Sequence, residues 1–180
     1  MIQAAASPGE VLVGADGSDA SLQAVDWAAA EAATRGSALV VCCVAAAGTD
    51  EKPVLWDGQE LVLVPADDVV RQATARARSS SADLSVTGHV VRGDPAQQLL
   101  ERSREARLLV VGARGLGGFI GLLVGSVSDR VAGRAACPVV VVRGHASREM
   151  PVLAGVDGSA ANQAAVEFAS TPPPGKESVW

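Results

Sequence analysis

Apolar residues gather along this chain in short, strand-length runs, separated by stretches where they recur every third or fourth position. Val11 to Ala15 is the first run, closed by Asp16-Gly17-Ser18. Leu22, Val25, Ala29 and Ala32 then fall at helical spacing, which predicts a helix over 20–34 packing one stripe on a sheet. Ser18 or Asp19 is its expected N-cap, and Gly36 its stop. Leu39 to Ala45 is almost continuously apolar, as parallel strands buried on both faces are. Residues 48–64 read as a loop around Pro53, Asp57-Gly58 and an isolated Trp56. A helix is expected over 66–82, with Val69, Val70 and Ala73 inward and Arg71, Arg76 and Arg78 in solvent. Leu84 to Val91 alternates as a third strand. Asp94 and Pro95 then supply an N-cap and a first helical residue, with Ala96, Leu99 and Leu100 inward through about residue 105. A fourth strand over 107–112, a helix over 126–135 and a fifth strand at Val139 to Val142 complete the pattern.

Strands that alternate with helices in this way imply an α/β fold of three layers, a five-stranded parallel sheet with right-handed crossovers and helices on both faces. In such sheets ligands bind in the crevice beyond the carboxyl ends of the strands. The loop holding Asp16 follows strand one and the loop beginning at Gly112 follows strand four, so both belong to that end.

The second of these loops is chemically distinctive. Residues 112–125 contain six glycines, and Ser126 follows at a helix start. Glycines let backbone approach a ligand closely, while a helix N-terminus offers unpaired N–H groups and the positive end of the helix dipole. Together they form a phosphate cradle. A glycine-rich loop taken alone is as often a tight turn. It is not the P-loop pattern either, because Gly125-Ser126 lacks the preceding lysine that pattern needs.

The full spacing, Gly112-x2-Gly115-x9-Gly125-Ser126, followed by Cys137-Pro138 and Val139 to Arg143, resembles the nucleotide-binding signature of the universal stress protein family, in its ATP-binding subgroup. The resemblance covers nearly all of residues 9–143. It implies a Rossmann-like sheet of the adenine nucleotide alpha hydrolase type, with strand order 3-2-1-4-5. It also implies that Gly112, Arg114, Gly115, Gly125, Ser126, Val127 and Ser128 hold ribose and phosphates, with Ala15 and Ala113 beside them. Asp16 would lie against the nucleoside and help hold Mg2+ or Mn2+ through the phosphates, and the main chain of Val44 would read the adenine edge. The residues themselves leave other readings open. Asp16 also suits a turn, Arg114 a solvated loop, Ser126 an N-cap and Val44 the core. Trp56 is a candidate lid over the base, and equally a surface or interface residue. By the same resemblance, the Val139–Val142 edge strand meets a second subunit across a two-fold axis.

The chain also repeats itself. Residues 152–169 match residues 11–28 at ten of eighteen positions, at an offset of 141, and Asp157-Gly158-Ser159 stands where Asp16-Gly17-Ser18 stood. The organisation expected is therefore a domain over 1–144, a linker over 145–151, and over 152–180 the truncated start of a second copy ending in a Pro-rich tail.

Composition narrows the function. A net charge of −5, with only two lysines and scattered arginines, argues against a nucleic-acid partner. No apolar run reaches the roughly 20 residues of a membrane span, and residues 1–10 do not read as a signal peptide. The three cysteines form no metal-ligand spacing, and Cys42 and Cys43 should point to opposite faces of one strand, which suits a reducing cytoplasm. His89 and His145 join no catalytic arrangement. With no general base near the glycine loop, the expectation is an ATP-binding stress-response sensor or switch with at most slow hydrolysis. The alternatives are a slow ATPase whose turnover is the function, and an interaction module holding nucleotide structurally.

Overall fold

The computed structural model describes residues 9–45, 54–56, 59–61, 64–81, 83–115 and 124–144, together with residue 166. In chain order the elements are β1 (Glu10–Gly14), α1 (Asp19–Arg35), β2 (Leu39–Ala45), β3 (Val54–Trp56), β4 (Gln59–Leu61), α2 (Ala66–Ser80), β5 (Val86–Arg92), α3 (Pro95–Arg102), β6 (Ala106–Gly112), α4 (Ser126–Ala132) and β7 (Val139–Val142). Five strands form one parallel sheet in the order β5-β2-β1-β6-β7, which is 3-2-1-4-5 once the hairpin is set aside. That hairpin, β3 against β4, pairs Val54 with Leu61 and Trp56 with Gln59 where a loop was expected. It flanks Asp57-Gly58, a dipeptide that favours tight hairpin turns.

Strand alternation splits the core in two. Val11, Val13, Leu39, Val41, Cys43, Leu108 and Val110 face α1 and α2, while Leu12, Val40, Cys42, Leu109 and Val111 face the other side, which α3 and α4 cover. On α1 the buried stripe is Ser21, Ala24, Val25, Ala28, Ala29 and Ala32; Leu22, expected inward, is only half-buried. The stripe is mostly alanine, and small side chains let the helix lie close to the sheet. Trp27 packs against the edge of this core.

Helix boundaries follow local chemistry. Ser18 caps α1 by accepting the Ser21 N–H at 3.2 Å, and Gly36 ends it in the left-handed region at φ 61°. Asp94 caps α3, as expected, accepting the Gln97 N–H at 2.8 Å with Pro95 at the first helical position. Three helices stop short of the expected ends. The Ser79 and Ser80 hydroxyls turn back to the Arg76 carbonyl and compete with the ladder of α2. Buried Ser103 donates to Leu100 O at 2.7 Å where α3 ends, and α4 stops at Gly133, a poor helix former. Arg76, expected in solvent alone, grips Asp26 of α1 with two bonds of 2.6 Å.

One contact fixes how α1 leaves the sheet. A Cβ built on Gly112, at the end of β6, would lie 2.7 Å from both the carbonyl carbon and oxygen of Ala20, and 3.0 Å from Ser21 N. Only hydrogen lets the first turn of α1 come so near. Gly112→Ala should therefore cost roughly 1–3 kcal/mol, the usual range for overpacking, read as a lower urea midpoint; unchanged stability would mean that the turn yields freely.

Candidate functional site

At the carboxyl end of the sheet, β1 stops at Gly14 while β2 runs on to Ala45. The final β1–β2 bond is Ala15 N–H to Cys42 O at 2.9 Å. Strand alternation sets the N–H and C=O of a residue on one side. Cys42 faces β1, whereas Ala45 accepts from Gly93 N–H on the β5 side. Val44 thus turns its main chain towards β1, past the last bond to it.

Above the end of β1 lies a cleft of about 450 Å³. Its walls are Val44, Val111, Cys42 and the α3 residues Pro95 and Leu99 on one side. The other side holds Asp16, Ser21, Arg114, Gly115 and the stretch from Gly125 to Ser128. Size and mixture both suit a small ligand with an apolar and a polar end. Every sequence-predicted site residue lines it except Ala113. That residue is buried beneath the loop, donating to Val142 O at 2.8 Å and accepting from Gly125 N–H at 2.7 Å. Ala113 is thus a support for the loop and does not face the cleft.

Asp16 folds back on its own turn: Oδ1 accepts the Ser18 N–H at 3.0 Å and the Ser18 hydroxyl at 2.6 Å. Gly17 completes the turn at φ 86°, a conformation that favours glycine. The turn and cap roles thus coexist with a place in the cleft. The Oδ2 of Asp16 sits so near Gly115 that a Cβ there would push the carboxylate aside, so Gly115 leaves Asp16 in place beside the second loop. Gly125 is different. Its φ is −76°, and a Cβ would meet Ala113 O and Arg114 Cα only at 3.4 Å, so its own surroundings do not demand glycine.

The helix starts at Ser126 as expected, but the alternative reading of Ser126 as its N-cap does not hold. Gly125 is the N-cap of α4 and Ser126 its first residue. The helical ladder begins with Asp129 N–H to Gly125 O at 2.9 Å, so the N–H groups of Ser126, Val127 and Ser128 precede it and have no partner within the helix. The N–H of Gly125 is held by Ala113, and the buried Ser128 hydroxyl donates to Gly112 O at 2.6 Å, tying α4 to β6. Those two groups are parts of the scaffold. Arg114 is exposed at the polar end, and residues 116–123, the middle of the glycine loop, lie outside the described residues. The Trp56 side chain, His145 and the repeat over 152–180, apart from residue 166, also lie outside them. His89 is exposed on β5 and does not line the cleft.

Sequence reading missed Gly14, Ser21, Cys42, Pro95, Leu99 and Val111. Pro95 carried a signal in its place at the first turn of a helix rising from the same sheet end. Leu99 and Val111 carried none beyond that of core residues.

An open α/β sheet with its crevice at the switch between β1 and β6 defines the Rossmann-like class of nucleotide-binding folds. Within that class the assignment is specific. The universal stress protein family model matches residues 9–143, and the chain belongs to that family. It is 42% identical over 135 residues to universal stress protein Rv2623 of Mycobacterium tuberculosis, a match covering 74% of this chain and 44% of that protein. A universal stress protein of Mycolicibacterium smegmatis is equally similar, with 45% of its length covered, so the chain spans under half of these relatives. Among solved structures, a universal stress protein in complex with cAMP is 34% identical, with a TM-score of 0.58, covering 76% of this chain and 98% of the other. UspA from Lactobacillus plantarum shares the fold at 24% identity and a TM-score of 0.62, covering 77% and 100%.

No set of three or more His, Cys, Asp or Glu side chains among the described residues could hold a metal, and no described helix is long and apolar enough to cross a membrane. Cys42, Cys43 and Cys137 are free thiols. Burial pushes all three up, Cys43 to about 11, with neighbouring Cys42, Asp16 and Asp67 adding to its shift. The folded Cys43 thiol keeps its proton where the unfolded chain, near 9.0, has lost it. Folding then binds more protons, so this stability is full below about pH 9 and is lost as pH rises towards 11. Urea midpoints measured from pH 8 to 11 should fall more steeply for the natural protein than for Cys43→Ala. Parallel curves would contradict the assignment.

Proposed function

We propose that this chain binds an adenine nucleotide, ATP in the first instance, in the cleft over β1, and serves as a nucleotide-dependent sensor or switch in a stress response. The observation that carries this reading is the loop spacing, Gly112-x2-Gly115-x9-Gly125-Ser126, set on a cleft whose polar end receives the first turn of α4. The base would lie against Val44, Pro95 and Leu99, with the Val44 main chain at its edge. Phosphates would meet the N–H groups of Ser126, Val127 and Ser128, the glycine backbone and Arg114. The 34%-identical relative solved with cAMP supports adenine recognition in a cleft of this kind.

Asp16 is the one carboxylate lining the cleft among the described residues. Mg2+ commonly takes one or two carboxylates together with substrate phosphates, so Asp16 suits an ion held mainly by the nucleotide. Such an ion would neutralise phosphate charge. Hydrolysis is expected to be slow, because neutral donors and one arginine give little to orient a water.

The edge strand β7 carries four valines, three of them half-buried, and homodimerisation there is part of the proposal. So is the start of a second copy over 152–180. A match to universal stress protein Rv2005c of Mycobacterium tuberculosis, 33% identical, covers 88% of this chain, more than residues 1–144 alone supply. The free thiols accord with a reducing cytoplasm.

Mass spectrometry of ligand co-purifying with the protein should find an adenine nucleotide. Gly125→Val should weaken ATP binding at least about tenfold by calorimetry, with a modest loss of stability because Gly125 is the N-cap of α4 and valine caps poorly. Equal affinity in that variant would remove the reading. For the dimer, Val140→Glu should shift sedimentation from dimer to monomer at micromolar concentration; a natural protein already monomeric there would refute it.

A further inference from the structure

We propose that the ion pair between Asp94 and Arg130 is a strut that sets the distance between the base wall and the phosphate wall of the cleft. The inference rests on the nucleotide reading above. Asp94 stands immediately before Pro95, which lines the apolar wall, and Arg130 lies one turn into α4, whose first residues form the polar wall. Arg130 Nη1 donates to Asp94 Oδ2 at 2.9 Å, while Asp94 Oδ1 accepts the Gln97 N–H at 2.8 Å. One carboxylate therefore caps α3 and holds α4. The guanidinium of Arg130 keeps the Asp94 carboxyl below its usual range. Arg130 itself does not line the cleft, so it acts on the ligand through position and not through contact.

Both helices are short, at eight and seven residues, and they pack on each other and on the sheet through Leu99, Val127 and Val131. Apolar contacts of this kind permit sliding, whereas a directed ion pair between the start of α3 and α4 selects one separation. The pair is half exposed, so its worth is modest and its loss should not unfold the protein. A ligand that touches both walls must then restore the spacing itself. A ligand that touches one wall need not.

Asp94→Asn and Arg130→Gln test this, because asparagine caps helices as well as aspartate does. Titrations of AMP and of adenine, by calorimetry, would compare the natural protein, both single variants and the double variant. Each single change should weaken AMP binding about two- to fivefold, the range an exposed pair can supply. The double variant should be no worse than either single, Arg130→Lys should recover most of the loss, and adenine should bind all forms alike. A mere charge field would act with opposite signs, since removing the Asp94 charge favours an anion and removing Arg130 disfavours it. Tighter AMP binding in Asp94→Asn therefore overturns the strut. So does a lowered melting temperature with unchanged AMP affinity, or an equal loss for adenine. If the natural protein takes neither ligand nor ATP, the nucleotide reading fails and the strut falls with it; binding by the natural protein with any of the other adverse results removes the strut alone.

Discussion

The architecture depends on backbone lying against backbone at Gly112. The first turn of α1 can approach the end of β6 only because no Cβ intervenes, and Gly115 repeats the device one step later against the Asp16 carboxylate. These two absences bring the loop after β1 and the loop after β6 onto one mouth. They also bring the N-terminal ends of α1 and α4 to the same edge of the sheet. Each helix end contributes a partial positive charge, in a chain whose net charge is −5. An anion entering the mouth would therefore meet favourable local dipoles and not a net positive charge. Among the described residues the one carboxylate lining the mouth, Asp16, is turned towards Ser18, which donates two hydrogen bonds to it.

The cleft is a consequence of unequal strand lengths as much as of loops. β1 ends at Gly14, while its neighbours continue to Ala45 and Gly112. The gap above β1 is floored by Gly14 and flanked by main chain that has outrun its partner, as at Val44. On the two faces the cover differs: α1 and α2 have 17 and 15 residues, α3 and α4 only eight and seven. The thinner cover leaves Leu99, Val111 and Cys42 within reach of the cleft, although each belongs to the core. A side chain can thus be nearly fully buried and still shape a binding wall.

What could be read from sequence, and what could not, divides along the same line. Strands β2 and β7 were legible to the residue, and Ser18, Asp94 and Gly36 announced their helix ends, because those signals are local. The hairpin at 54–61 was missed, since three-residue strands are too short to show a period. Most of the cleft followed from the glycine spacing. Ala113 did not, because facing the ligand or supporting it from beneath differ only by the direction of one hydrogen bond. Gly125 displacing Ser126 as the cap was likewise hidden, as either residue type caps a helix. Leu99 and Pro95 enter the site through the crossover after β5, a tertiary fact with no trace in the spacing of the loop.

The donors that converge at the polar end also bear on turnover. Backbone N–H groups at a helix start bind the phosphates of a nucleotide before and after cleavage with similar strength. Interactions of that uniform kind deepen the bound state without lowering the barrier. Acceleration would need a group that strengthens as charge moves, such as a positioned lysine, or a base that orients water. Among the described residues the cleft offers Arg114, which is exposed, and Asp16, whose Oδ1 already accepts two bonds. The same features that would hold a nucleotide well are therefore poorly suited to consuming it. On the proposed reading, a protein so built would report on nucleotide by staying occupied, and a partner would read the state of the mouth and not a product leaving it.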